Sequence, residues 1–320
     1  MLGRKLVQRL SRDGVLAGRA IAHAHLVDII APEAPTDAPF VCACQGADLA
    51  APYWAKKLIA TQPDAIFLLA SVVSGEAESD FDKGYAINLD GARGIFEAIR
   101  AESLRSNGAY RPRLIFTSSI AVFGAPTPDI IDDEFLAAPL TSYGAQKAIC
   151  ELLLSDYSRC GFLDAIALRL PTICVRPGAP NKAASGFFSN IIREPLAGRK
   201  AVLPVAETVR HYHASPRSAV QFLLHAAALD LAQLGARRAL TMPGVSVTVG
   251  EQIDALRRIA GPDAVKLIAR VPDAAIAKIV AGWPRNFAAA RARALGFVCD
   301  ANFDAIIQSH IEDEHVGQLA

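Results

Sequence analysis

Tyr143 and Lys147 stand at i and i+4 in SYGAQK (142–147), a spacing that projects both from one face of a helix. A phenol ordinarily titrates near 10 and is a poor base at neutral pH. An ammonium beside it favours the phenolate, and a cationic nicotinamide ring close by adds to that effect. TSSIAVFG (117–124) lies just upstream and offers serine hydroxyls at the end of an apolar stretch. A serine facing the pair would hold a substrate oxygen in line, which makes a proton-transfer device for alcohol–ketone interconversion. YxxxK by itself is more often an ordinary surface turn of helix; the serine stretch before it gives the pair chemical meaning.

The elements that must position these residues alternate along the chain. Helix is expected at 2–12, 49–60, 85–102 and 142–159, and strand at 24–27, 39–44, 65–70, 113–119 and 164–170. The strands are continuously apolar, the pattern of a parallel sheet covered on both faces. The fold class expected is therefore α/β, a Rossmann-like doubly wound sheet over 1–172. After Pro171 the pattern changes. Residues 175–186 are rich in Pro, Gly and small side chains and read as loop, followed by helices at 187–198, 215–230 and 248–260. Thr248 and Glu251 have capping-box spacing, and GWPRN (282–286) breaks a last, largely helical stretch. Residues 173–320 are expected to form a smaller, mostly helical substrate-binding region, with 211–245 or so returning to the sheet.

The strand ends of such a sheet bind ligands. Asp28 closes the strand at 24–27, where an acid accepts from ribose hydroxyls and disfavours a 2′-phosphate, so NAD is the cofactor expected. In GADL (46–49), Asp48 with Leu49 meets an adenine, or Asp48 caps the next helix; the two readings stand level. Ala70 and Ser71, at the end of AIFLLA (65–70) and the start of SVVSG (71–75), allow close approach to a cofactor, with Ser74 on the substrate side.

Composition narrows the partners. Hydrophobic residues make up 52% of the chain and the net charge is +1, which gives no long-range pull on nucleic acid or an acidic membrane. No apolar run approaches the ~18 residues of a spanning helix. Six cysteines with no CxxC pair suit a reduced cytoplasmic protein without structural metal.

Taken together, TSSIAVFG, SYGAQK, NLDG (88–91) and the strand end LRLPT (168–172) resemble the extended short-chain dehydrogenase/reductase family, which includes the sugar-nucleotide epimerases and dehydratases. The resemblance implies that Tyr143 is the catalytic base. It implies that Lys147 grips the nicotinamide ribose and tunes Tyr143, and that Ser119, rather than Ser118, positions the substrate hydroxyl. It places Asn88 beside the cofactor and Pro171 and Thr172 against the nicotinamide. Phe123 replaces the family's usual tyrosine. Gly3 matches the third glycine of GxxGxxG, which permits close packing of helix on strand. The first strand and first two glycines are then expected to precede Met1, in a natural protein about ten residues longer. The competing expectation is a variant that has lost tight cofactor binding. The family's dimer implies a homodimer through the helices at 85–102 and 142–159.

The stretches 142–171 and 167–198 resemble the branch of that family whose members oxidise D-erythronate. They imply NAD-dependent oxidation of the C2 hydroxyl of a small sugar acid to the 2-keto acid. A sugar acid needs a cation for its carboxylate. Arg176, Asn181, Lys182 and Ser185 follow the nicotinamide-side strand, and Arg217, with His211 and His213, could close the far side. Each of these loop charges is as readily a solvated surface group. The alternatives are a sugar-nucleotide epimerase or dehydratase and a non-catalytic NAD(H)-sensing protein.

Overall fold

The computed structural model describes residues 1–124, 126–178 and 185–314. Its centre is a four-stranded parallel sheet in the spatial order Ala239–Thr241, Asp164–Leu170, Arg113–Ser119, Ala65–Leu68. The two middle strands are almost wholly buried, which is why their sequence is continuously apolar rather than alternating. Leu114, Phe116 and Ala165 pack on one face against the helices Ala92–Arg105 and Ser142–Arg159. Ile115, Ile166 and Leu168 pack on the other against Pro216–Ala228 and Leu2–Asp13. Arg113 ties the layers together, donating to the carbonyls that end Pro216–Ala228 and pairing with Asp164.

A second parallel pair, His23–Asp28 with Val41–Gly46, forms its own two-stranded sheet. One edge of this pair, one edge of Ala65–Leu68 and the helix Leu2–Asp13 border the same cavity of about 2450 Å³. The sheet is therefore two parallel blocks rather than one continuous ribbon. Gly3 lines this cavity, and a Cβ there would meet Leu69 Cδ1 at an ordinary 3.8 Å.

Past Pro171 the chain is less helical than its sequence suggests. Thr172–Ile173, Arg210–Ala214 and Val245–Thr248 make a small sheet, and Ala201–Leu203 pairs with Ile268–Arg270. These strands are two to five residues long, too short to leave a periodic signature. One core is built entirely from residues after Ile173, with Phe188, Ile192, Leu256 and Ile307 inside it. The capping box is present in full: Glu251 N donates to Thr248 Oγ1, and Thr248 N to the Glu251 carboxylate. No helix among the described residues is long and apolar enough to cross a membrane.

Candidate active site

Tyr143 enters the cleft from the first turn of Ser142–Arg159. Thr141 caps that helix, accepting from Gly144 N at 3.1 Å, and the Glu78 carboxylate accepts from Ser142 N at 3.0 Å, a favourable charge at a helix start. Gly144 lets the turn come close to the serine strand: a Cβ there would lie 2.1 Å from the Ala121 carbonyl oxygen. Lys147, one turn on, is 1% exposed. Its Nζ donates to the Thr117 carbonyl at 2.9 Å and lies 5.6 Å from the Tyr143 ring centre. Ser119 ends Arg113–Ser119, and its Oγ accepts from Ala121 N. Tyr143, Lys147 and Ser119 all line the cavity.

Burial decides the electrostatics. It pushes the Tyr143 phenol above its ordinary value, while hydrogen bonds from Ser71 and Ser119 and the nearby Arg176 guanidinium pull in the opposite direction. Burial brings Lys147 down to about 8, opposed by the charges of Cys150 and Glu151. Ser118 is turned away to donate to Glu151, which also holds Arg169 in a fork. The two serines thus have separate tasks, and the one left beside Tyr143 is Ser119.

The walls of the cleft come from four strand ends. Asp28, Leu49, Ala70, Ser71, Ser74, Pro171 and Thr172 all line it. Asn88 does not. It is buried behind Ser71, accepting from Ser71 Oγ at 2.8 Å and Val72 N at 2.9 Å. It belongs to a π-helical turn, Tyr85–Gly91, that opens the long helix expected there. Asp48 accepts from Ala50 N at 2.9 Å but does not cap the helix Pro52–Ile59, whose N-cap is Ala51 with no side-chain cap, and it is absent from the cavity wall: it makes a local turn, which neither expectation named.

At the substrate end, Arg176 is oriented by four contacts. Its Nε donates to Ile173 O, Nη2 to Ser185 Oγ and backbone N to Ser189 Oγ, and its carbonyl accepts from Arg193. His211 stacks on Phe188, with Nδ1 on the Pro284 carbonyl and Nε2 on Thr172 Oγ1. The carbonyl can only accept, so Nδ1 carries the proton and the threonine donates to Nε2. Burial holds this imidazole at about 4, so it is neutral at physiological pH. Arg217 does not reach the cleft: its helix turns it outward into ion pairs with Glu312 and Asp313. Asn181 and Lys182 lie outside the described residues. Trp283, Asn190 and Arg193 line the substrate end and were missed in the sequence. Trp283 falls in the GWPRN break, where a large ring in an irregular turn was the available signal.

The observed wall suits NAD. Asp28, the start of helix Leu2–Asp13, and Ser71, Thr172, Tyr143 and Lys147 all line one continuous cavity. The helix start carries no side-chain cap on its amides, the kind of terminus that favours anionic groups.

A parallel sheet with a Ser/Tyr/Lys set at its carboxyl edge defines a class of nucleotide-dependent oxidoreductase. Residues 1–228 match the NAD dependent epimerase/dehydratase family. The chain belongs to that family, as an NAD-dependent dehydrogenase within it. It is 46% identical over 314 residues to D-erythronate dehydrogenase of Cupriavidus necator, covering 98% of this chain and 94% of that one. It is 43% identical over 287 residues to D-erythronate dehydrogenase of Haemophilus influenzae, covering 90% and 89%. The crystal structure of the nucleoside-diphosphate-sugar epimerase from Agrobacterium tumefaciens is 60% identical with a TM-score of 0.97, covering 100% of this chain and 93% of that one.

Proposed function

We propose that the protein oxidises the C2 hydroxyl of a D-erythronate-like sugar acid to the 2-keto acid, the region after Thr172 holding the substrate. The observation that carries this is Arg176, a half-buried guanidinium that lines the same cleft as Ser119, Tyr143 and Lys147 and is fixed by its hydrogen bonds, where a carboxylate one carbon from the reacting hydroxyl would be met by a planar cation. D-erythronate dehydrogenases that match the chain almost end to end support it.

Ser119 Oγ holds the C2 hydroxyl toward Tyr143. The phenolate of Tyr143 takes the hydroxyl proton as the C2–H bond breaks and the C=O bond forms. NAD⁺, when bound, supplies the hydride acceptor and a positive charge beside the phenol. Lys147 carries its ammonium at neutral pH, favours the phenolate across 5.6 Å, and is held by the Thr117 carbonyl. It is positioned to grip the nicotinamide ribose. Neutral His211 and Thr172 form a wall that adds no charge, so the positive field at the carboxylate end comes from Arg176 and from Arg193, the latter paired with Glu194.

A screen of four- to six-carbon aldonic acids with NAD⁺, read at the NADH band, tests the reading. Turnover with a four-carbon acid and a loss of at least about a thousandfold in Tyr143→Phe are expected. Unchanged turnover in that variant rejects the catalytic assignment. The likeness to a nucleoside-diphosphate-sugar epimerase favours a second reading, epimerisation with no net redox change. Interconversion of a UDP- or GDP-sugar without NADH accumulation, and no oxidation of any aldonic acid, would establish that one instead. We also propose a cytoplasmic homodimer through Tyr85–Arg105 and Ser142–Arg159, whose outer surfaces expose Leu104, Ile149 and Leu152.

A further inference from the structure

Gln146 lies between the tyrosine and the lysine in sequence, yet the chemistry above gives it nothing to do. It is completely buried, and its Nε2 has no acceptor among the described residues. An unpaired buried amide is a cost that a leucine of similar reach would not carry. The space around it is full: a Cβ on Gly84 would lie 2.8 Å from Nε2.

Its other end has one partner. Gln146 Oε1 accepts from Asn88 Nδ2 at 2.8 Å. The Asn88 amide is oriented from the front by Val72, whose N–H can only donate and therefore faces Oδ1. That leaves Nδ2 pointing at Gln146. The same Oδ1 accepts from Ser71 Oγ at 2.8 Å, and Ser71 lines the cleft together with Tyr143, its hydroxyl pulling the phenol toward ionisation. A continuous path therefore runs from Gln146 through Asn88 and Ser71 to the proton-transfer atom. The Ser71 hydroxyl has Asn88 Oδ1 at 2.8 Å and the Val72 carbonyl at 3.0 Å as acceptors in the resting protein. In the proposed path it rests on these two while the phenol is protonated and swings to Tyr143 when the phenolate forms. The hydrogen bond to a phenolate is the stronger of the two, so a serine oxygen held in place favours the ionised base.

We propose that Gln146 is a positioning residue for the reaction: it anchors the Asn88 amide, which holds Ser71 in register with Tyr143. The proposal rests on Tyr143 being the base. The charged groups around Tyr143 are Lys147 on its own helix, Arg176 beyond Ile173 and Glu78 at the first turn, and none of them touches Gln146 in this network.

The test is Gln146→Met, with Gln146→Leu as a second variant, alongside Asn88→Ala and the double variant. If the path operates, kcat at neutral pH falls about threefold while KM for the sugar acid changes less than about 1.5-fold. The acidic limb of the pH profile moves to higher pH by about half a unit. In the cofactor-free protein, the tyrosinate absorption assigned by difference from Tyr143→Phe shifts the same way. The double variant loses no more than Asn88→Ala does. A pH profile and tyrosinate titration that superimpose on the parent, with only the melting temperature changed, overturn the proposal, as do losses that multiply in the double variant. Retained turnover in Tyr143→Phe would instead remove the reading on which it rests.

Discussion

Lys147 is a buried ammonium that lies 4.7 Å from the centre of the Phe116 ring and is held by one carbonyl, and that placement has a thermodynamic signature separate from turnover. Its proton is released at about 8 in the folded protein, whereas an unfolded lysine keeps it to about 10.4. Between those values the unfolded chain binds more protons, so this residue makes stability rise with pH and costs most below pH 8. Lys147→Met removes the charge and keeps the apolar stem. At pH 7 it recovers roughly 3 kcal/mol of desolvation, less about 1 kcal/mol for the Thr117 carbonyl left unpaired. A variant with no activity and a net gain of roughly 2 kcal/mol is expected in urea denaturation at pH 7, the gain shrinking as pH is raised toward 10.5. A stability loss of that size at pH 7 would mean the ammonium is far better solvated than its burial implies.

The element that controls the site is the first turn of Ser142–Arg159, and its tightest contact is Gly144 against the Ala121 carbonyl. Backbone faces backbone there, so no side chain can swing aside. Gly144→Ala must push the helix away from the turn that follows Ser119, at a cost on the order of 3 kcal/mol. Melting should report that loss. Steady-state kinetics should show kcat reduced by more than tenfold, because Tyr143 retreats from Ser119 while circular dichroism keeps its shape. How much of this could be read in advance follows from what each feature depends on. The Tyr143/Lys147 face follows from helical spacing, and the sheet strands from continuous apolar runs, so both were legible. The π-helical turn at Tyr85–Gly91 was not, because one extra residue per turn leaves no mark on a short amphipathic pattern. It is nevertheless what buries Asn88. Arg217 was misplaced because nearness in sequence to His211 says nothing about direction: its partners, Glu312 and Asp313, come from the far end of the chain. Trp283 reaches the substrate end from a similarly remote segment, which only the tertiary fold brings there.

For the whole molecule, the same helix that supplies Tyr143 and Lys147 on its inner side carries Ile149 and Leu152 on its outer side, Leu152 being 73% exposed. Leu104 and Phe81, on neighbouring segments, are more than half exposed as well. Single exposed apolar residues are ordinary, and a cluster across adjacent helices is the pattern of a contact surface. A two-fold dimer would meet the patch with its own copy, since such an interface is self-complementary, and a stable one buries on the order of 1,600 Å² in total. The active site would gain rigidity from it, because the helix under Tyr143 and Lys147 would be clamped on both sides. Leu152→Asp places a charge at the centre of that surface without touching the buried face of the helix. The parent is expected to run as a dimer in sedimentation at micromolar concentration and the variant as a monomer, with its melting temperature lowered and its melting curve no longer dependent on protein concentration. A parent that stays monomeric at high concentration, or a variant that stays dimeric, would place the contact surface elsewhere and leave the helix to be stabilised by its inner face, where Gln146, Lys147, Cys150 and Leu154 are already buried.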